Sequence, residues 1–320
     1  MASVTEDKYL GDVISSDGKN TKNISKRISK GIGIITQIIH LLEMVSLGDH
    51  FMEIALLFRE ALFLNGILTN SEIWYGLSKS EIDEFEDLDR QLLRKILQVP
   101  VSTPQEAYYL EMGIIPIRVV IMARRIIYLH YLVTRKETEM LAQFFRTQWN
   151  QPSKGDWTET VKKDLDKFGI VEDFEYIKSK SKESFKKMVK VKAKEYALTI
   201  LTEKQQTHSK MENIYYSEIK PQKYFSLENA KIEEVRNIFR YRVRMAPFWG
   251  NYKGNKEYEV CPLCQNHADI QSLSFDCEYL KQKVEINCDM SDILTDNVTL
   301  DTARTVTEML RAREDMLKAN

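Results

Sequence analysis

Four cysteines, which all lie between Cys261 and Cys288, are the residues of this chain best suited to chemistry. In Cys261-Pro-Leu-Cys264, two thiolates leave one tight turn and can reach the same metal ion. Cys277 is the natural third ligand, and either His267 or Cys288 completes a tetrahedron. We therefore expect a structural zinc ion on Cys261, Cys264, His267 and Cys277. Four reduced cysteines without a metal are the alternative.

A run of lysines forms the second group. Between Lys178 and Lys194, eight lysines stand against one acid, Glu183. On a helix the apolar residues of this region share one face, formed by Phe185, Val189, Ala193, Tyr196 and Ile200. The lysines beside that face are Lys186, Lys187, Lys190 and Lys194. Such a row can follow a phosphate backbone, with binding that weakens steeply in salt. A solvated charged face is the alternative.

Arginines alternate with aromatic residues further along the chain. The arginines are Arg236, Arg240, Arg242 and Arg244, and the aromatic residues are Phe239, Tyr241, Phe248 and Trp249. Arginine with aromatic side chains suits phosphates and stacked bases. The same pattern fits a helix end that packs on its neighbour.

Other patterns do not indicate catalysis. Acidic residues crowd residues 80–89 and would suit Mg²⁺, but the apolar residues among them recur at helical spacing. That spacing predicts an amphipathic helix with a solvated acidic face. Gly31-x-Gly33 lies within a helical pattern and lacks the strand of a phosphate-binding loop. We expect no catalytic residues.

Helices must position these groups, because proline and glycine are scarce, at 7 and 12 residues of 320. Strand signal is confined mainly to residues 8–15. The apolar run 114–133 contains three arginines, which predicts a buried helix and not a membrane span. The net charge is −1, and no signal peptide is visible, so we expect an intracellular protein of the nucleus or cytoplasm.

We expect the chain to comprise five segments. They are a hairpin at 1–20, a helical domain at 21–150, a basic helical connector at 151–250, a Cys-rich module at 251–290 (the Cys module) and a C-terminal helix at 291–320. The best linker candidate is residues 151–156.

Three groups of motifs occur in a recognisable order. The first comprises Lys8-Tyr9-Leu10-Gly11, Asp17-Gly18, Ile24, Arg27 and Ile28. The second comprises Ile67 to Trp74, then Leu88, Leu92-Leu93, Ile96-Leu97, Pro104, Ala107-Tyr108, Leu110-Glu111 and Gly113 to Ile117. The third comprises Arg240 to Met245, Cys261 to Cys264, Asp269, Gln271 and Cys277. In this order they resemble the region after the polymerase palm in LINE-type (non-LTR) retrotransposon reverse transcriptases.

The resemblance implies a mainly α fold: a thumb- and connector-like bundle, a short N-terminal β-hairpin remnant and a zinc-knuckle-like module. Tyr9, Leu10 and Gly11 would belong to the primer-grip hairpin. The family's knuckle histidine stands four residues before the last cysteine, where this chain has Leu273. His267 or Cys288 would then take its role, or the site no longer binds metal.

The resemblance also implies a ligand. RNA, single strands or hybrid duplex would be the partner, contacted by Lys186, Lys187, Lys190, Lys194, Arg240, Arg242 and Arg244. The family's catalytic Tyr/Phe-Ala-Asp-Asp motif would precede Lys8 and is missing, so we expect neither Mg²⁺ nor polymerase activity from this chain alone. The alternatives are a helical protein-interaction scaffold with a structural zinc module and a decayed open reading frame without selected function. Oligomeric state is not indicated.

Overall fold

The computed structural model describes residues 6–9, 12–16, 20–44, 50–211, 213–252, 260–295 and 297–319. Most of these residues are helical, which confirms the mainly α prediction. Two short strands, Glu6–Tyr9 (β1) and Asp12–Ser15 (β2), pair in antiparallel register with Tyr9 opposite Asp12. Of the predicted primer-grip residues, Tyr9 lies in β1, whereas Leu10 and Gly11 lie outside the described residues.

Helices of three to 24 residues make up most of the described part of the chain. They are α1 (Thr21–Met44), α2 (Phe51–Phe58), α3 (Asn65–Ile67), α4 (Lys79–Leu97), α5 (Gln105–Met112), α6 (Ile117–Val133), α7 (Met140–Asn150), α8 (Trp157–Lys167), α9 (Phe174–Ser179), α10 (Lys182–Gln205), α11 (Ile232–Arg242), α12 (Glu278–Lys283), α13 (Met290–Leu294) and α14 (Leu300–Ala319). A π-helical segment, Arg59–Leu64, joins α2 to α3, and 3₁₀ turns span Ser71–Ile73, Lys223–Ser226, Trp249–Asn251 and Gln271–Asp276.

Local sequence explains several helix ends. Pro104 and Pro116 precede α5 and α6, where a missing backbone N–H is harmless. The Asp156 carboxylate accepts a hydrogen bond from the backbone N–H of Glu159 at 2.8 Å and caps α8. Gly113 ends α5 with a φ of 66°. The helical structure is interrupted between α7 and α8, at residues 151–156, which the sequence marks as the best linker candidate.

The chain folds into two compact units, each built from segments that are distant in sequence. Unit 1 comprises residues 1–38, 58–91 and 115–200, and unit 2 comprises residues 39–57, 92–114 and 201–320. In unit 1, α6 packs against the turn Ser71–Ile73 and against α7, α8 and α9. In unit 2, α11 packs against α13 and α14, and α12 packs against α14.

The arginines of α6 are held by polar partners within unit 1. The Nε of Arg125 donates to Asp164 at 2.7 Å, and the Nε of Arg118 donates to Glu86 at 2.6 Å. Arg124 donates to the carbonyl oxygen of Leu68. These partners explain how an apolar helix carries three arginines. Among the described helices, none is long and apolar enough to cross a membrane.

The acidic residues of α4 differ from the sequence prediction. Asp89 is fully buried and accepts two hydrogen bonds from Arg59, at 2.7 and 2.6 Å. Glu86 is also buried, against Arg118. The predicted fully solvated acidic face is therefore wrong, because arginines from elsewhere in unit 1 neutralise part of it.

Candidate metal centre and basic surfaces

The backbone around Cys261 folds into a tight turn that brings its thiol towards the following residues. The backbone N–H of Gln265 donates to the carbonyl oxygen of Cys261 at 2.9 Å, and that of Cys261 donates to the carbonyl oxygen of His267. Gln265 has a φ of 55°, which closes the turn in the left-handed region. Cys277 directly precedes α12. A local turn thus supplies three of the side chains, and the start of a helix supplies the fourth.

Cys261, Cys264, His267 and Cys277 form one cluster whose ligand atoms all lie within 4.8 Å of one another. The Sγ atoms of Cys261 and Cys277 are 4.0 Å apart. This distance is about twice an S–S bond. It is close to the ~3.8 Å between two thiolates of a tetrahedral site with metal–sulfur bonds of about 2.3 Å. These four residues could therefore hold a metal ion.

The ring of His267 is oriented for coordination. Its Nδ1 lies 2.9 Å from the carbonyl oxygen of Ala268, which can only accept, so Nδ1 carries the proton. Its Nε2 is buried and has no hydrogen-bond partner among the described residues. Buried polar atoms rarely lack a partner, and metal-binding histidines usually donate their other N–H to a carbonyl or carboxylate. A metal ion on Nε2 would satisfy this atom.

Cys288, the alternative fourth ligand, does not belong to the cluster. Burial raises the pKa of its thiol to about 11, and the nearby carboxylates of Asp292 and Asp289 act in the same direction. Burial also raises the pKa of Cys277, to about 12. A metal ion would displace the proton of this thiol when it binds.

Buried polar contacts fix the Cys module to the rest of unit 2. The Asp269 carboxylate accepts hydrogen bonds from the Nη2 of Arg313 at 2.7 Å and from the backbone N–H of Trp249 at 3.0 Å. Asp269 and Arg313 are both 2% exposed. Arg313 lies on α14, so this ion pair joins the segment between the metal ligands to the C-terminal helix.

The predicted lysine row of α10 lies on an exposed face. Lys186, Lys187, Lys190 and Lys194 are all exposed, and within the described part of the chain none of them is in an ion pair. Phe185, Val189 and Ala193 are fully buried on the neighbouring stripe, as expected from their spacing. Tyr196 and Ile200 are only half-buried, and Ala197 and Leu201 complete the buried stripe in their place.

The arginines of α11 are mostly used inside the protein. Arg236 donates twice to the carbonyl oxygen of Ile96, at 2.9 and 2.8 Å, and Arg240 donates to that of Gln98 at 2.6 Å. Burial lowers the pKa of Arg236 to about 10, with the charge of Arg240 adding to the effect. These two arginines cap the carbonyl end of α4. This agrees with the alternative interpretation of the arginine–aromatic pattern, a helix end that packs on its neighbour.

Arg242 lies in the interior of unit 2. Its Nε donates to both oxygens of Glu111 at 2.9 Å, and its Nη1 donates to the carbonyl oxygens of Ile293 at 2.6 Å and Thr295 at 3.0 Å. Burial acts to lower the pKa of Arg242, but the Glu111 carboxylate outweighs it and the pKa is raised. The prediction that Arg242 contacts phosphate is therefore wrong. Arg240 is also largely occupied, whereas Arg244 lines a pocket.

Comparison of the chain with family models, curated proteins and solved structures finds no match. The structure by itself defines the class: a mainly helical protein with a Cys₃His cluster that could hold a metal ion.

Proposed function

We propose that this chain binds nucleic acid through the lysine row of α10 and that its Cys₃His cluster holds a structural zinc ion. The exposed lysine row carries the first part of the proposal. Three of its members, Lys186, Lys190 and Lys194, are spaced by four residues, so their side chains follow one line along the helix. The buried stripe beside them anchors the helix, so the charges stand on a rigid element that can align with successive phosphates.

Zinc is the metal that best suits the cluster. Three thiolates and one imidazole form a donor set that binds zinc in tetrahedral geometry. All four positions are taken by the protein, so no coordination site remains for water or substrate, and the ion would be structural. Structural zinc contributes about 10–16 kcal/mol of apparent binding free energy in isolated zinc peptides. A module of this size, with a small core, would depend on such a contribution.

The nucleic acid would be RNA, a single strand or a hybrid duplex, if the chain is the post-palm part of a LINE-type reverse transcriptase. The order of the three motif groups and the mainly helical fold support this relationship. The buried acids of α4 support a non-catalytic role, because Glu86 and Asp89 are paired with arginines and do not form an open Mg²⁺ site. The chain alone would then bind template and primer without polymerising.

A salt titration tests the proposal. Affinity for single-stranded RNA, single-stranded DNA and a hybrid duplex of the same sequence is measured between 50 and 200 mM salt, concentrations across which phosphate-driven binding falls by orders of magnitude. Replacing Lys186 and Lys190 by glutamine should reduce the slope of log K against log salt by about 1.4 on a single strand, or about 0.7 for each lost phosphate contact. The control is Lys167→Gln on the exposed surface of α8, which should leave the slope unchanged. An unchanged slope in the double variant would refute the lysine row as the contact surface.

A helical protein-interaction scaffold is the second candidate, and the surface of α7 favours it. Met140 is 71% exposed and Phe144 is 67% exposed, with Leu141 beside them at 43%. Exposed apolar residues on one helix are a common feature of protein contacts. Removal of the metal distinguishes the two candidate functions. Nucleic-acid affinity that falls on chelation and returns with zinc supports nucleic-acid binding and not the protein-interaction scaffold.

A further inference from the structure

A second site lies in unit 2, apart from the metal ligands. A cavity of about 600 Å³ opens between the turn after α10, the segment after α11 and the start of α13. Its volume falls within the range of small-ligand pockets. The residues that line it include Lys210, Arg244, Tyr252, Ile270, Met290 and Leu294.

The two cations of the pocket lie on segments that contact each other. The Nη1 of Arg244 donates to the carbonyl oxygen of Ser209 at 3.2 Å, and Ser209 directly precedes Lys210. The ammonium of Lys210 lies 3.1 Å from the sulfur of Met245 and 5.6 Å from the centre of the Tyr252 ring. A guanidinium and an ammonium on the same rim form a site for a phosphate group.

The backbone of Arg244 is in an unfavourable conformation. Its φ is 49°, in the left-handed region that glycine and asparagine normally occupy after a helix. A residue with a long side chain is strained in this position, and such strain is typical of functional sites. Glycine would fit this backbone better, so the guanidinium is held here at a cost in backbone strain.

The remaining walls suit a flat, apolar body. Ile270, Met290 and Leu294 are half-buried and offer apolar surface, and Tyr252 offers an aromatic ring. The floor is fixed, because the Asn251 amide donates to Gln271 at 3.1 Å and Gln271 donates in turn to the carbonyl oxygen of Tyr241. A pocket lined by two cations, an aromatic ring and apolar side chains matches a nucleotide.

We propose that this pocket binds a nucleotide, with its phosphate at Lys210 and Arg244 and its base against Tyr252 and the apolar wall. The pocket does not depend on the lysine row of α10, so it can be present whether or not that row binds a nucleic-acid strand. The nucleotide comes either from solution or from a strand, and both sources share this chemistry.

Calorimetric titration of the full chain, purified with its metal, tests the site. The probes are adenosine 5′-monophosphate, adenosine and inorganic phosphate. The monophosphate should bind at least about tenfold more tightly than either fragment, since it uses both halves of the pocket. Equal affinity for inorganic phosphate would overturn the role of the apolar wall, and no binding of the monophosphate would overturn the site.

Arg244→Gly supplies the matched variant, because glycine relieves the backbone while it removes the guanidinium. Affinity for the monophosphate should fall about tenfold or more, as expected for the loss of a charge-assisted hydrogen bond. The melting temperature should stay the same or rise, so a loss of binding could not be assigned to misfolding. Lys210→Met should act in the same direction. Unchanged affinity in both variants would overturn the proposal.

A competition experiment distinguishes the sources of the nucleotide. A single-stranded oligonucleotide that displaces the monophosphate, and that binds more weakly to Arg244→Gly, supports a nucleotide of a strand. An oligonucleotide that leaves the bound monophosphate in place supports a free nucleotide.

Discussion

The buried ion pair between Glu111 and Arg242 gives the sharpest test of the fold of unit 2. Their side chains are 0% and 2% exposed. Glu111 also accepts hydrogen bonds from the hydroxyls of Tyr216 and, at 2.7 Å, Tyr224. Arg242→Met would remove the positive charge and leave the Glu111 carboxylate buried, with the two tyrosines as its remaining donors among the described residues.

The expected loss follows from this geometry. Removing one partner of a buried ion pair typically destabilises a protein by about 3–5 kcal/mol, because the remaining charge stays desolvated. Two backbone carbonyls, of Ile293 and Thr295, also lose their donor. We therefore expect Arg242→Met to lower the free energy of unfolding by at least about 3 kcal/mol. Adding Glu111→Gln should recover part of this loss, since the amide is neutral and still accepts from the tyrosines.

The loss of unfolding free energy within unit 2 is measured by urea titration, with amide hydrogen exchange of α5 and α11 as the signal. The matched control is Arg311→Met, which breaks an ion pair with Glu233 in which both side chains are about half exposed. An exposed pair contributes about 0–1 kcal/mol, so the control should change little. Equal effects of Arg242→Met and Arg311→Met, or a double variant that is less stable than Arg242→Met, would refute the reasoning.

Three further predictions concern the metal, the pH and one glycine. Cys277→Ser should abolish stoichiometric zinc, measured by elemental analysis, while Cys288→Ser should retain it, because only Cys277 belongs to the cluster. Burial, with the charge of Glu111, raises the pKa of Tyr224 well above its usual value. The protonated hydroxyl therefore contributes its full stability below about pH 10, and this contribution is lost as the pH rises further. Tyr224→Phe should make the fall of the free energy of unfolding above pH 10, measured in urea, shallower by about 1.4 kcal/mol per pH unit. Gly113→Ala should destabilise more than Gly169→Ala in the same urea assay, because φ is 66° and 61° at the two sites but only at Gly113 would the new Cβ meet backbone atoms.

Much of the candidate site could be predicted from the sequence, because its determinants are local. Cys261, Cys264 and His267 lie within seven residues, so their spacing alone indicates a shared ligand set. The sequence left His267 and Cys288 as alternatives, and only the folded backbone separates them. The ion pair that fixes the Cys module to α14 has no signal in the local sequence, because Arg313 and its partner Asp269 are 44 residues apart.

Buried charges were the main source of error. The periodicity of α4 alone predicts that its acids lie in solvent. Periodicity shows which residues share a face, but it does not show whether another element brings a counter-charge to that face. Arg59 and Arg118 do so for Asp89 and Glu86, from 30 and 32 residues away. The same reasoning applies to Arg242, whose partner Glu111 is 131 residues away.

The two basic clusters show when charge in a sequence becomes charge on a surface. Lysines at 186, 190 and 194 are four residues apart, so each lies about 40° from the last around the helix and the row stays on one face. Arg240 and Arg242 are two residues apart, which places them about 200° from each other, so a helix with one buried side cannot expose both. Arg242 accordingly turns inward to Glu111, and Arg244, beyond the end of α11, is left to line the pocket. Spacing alone does not decide the outcome, because Arg236 and Arg240 are also four residues apart and yet donate to carbonyl oxygens at the end of α4. What distinguishes the lysine row is that no other element of the described part of the chain packs over its side of the helix, so all four lysines stay exposed.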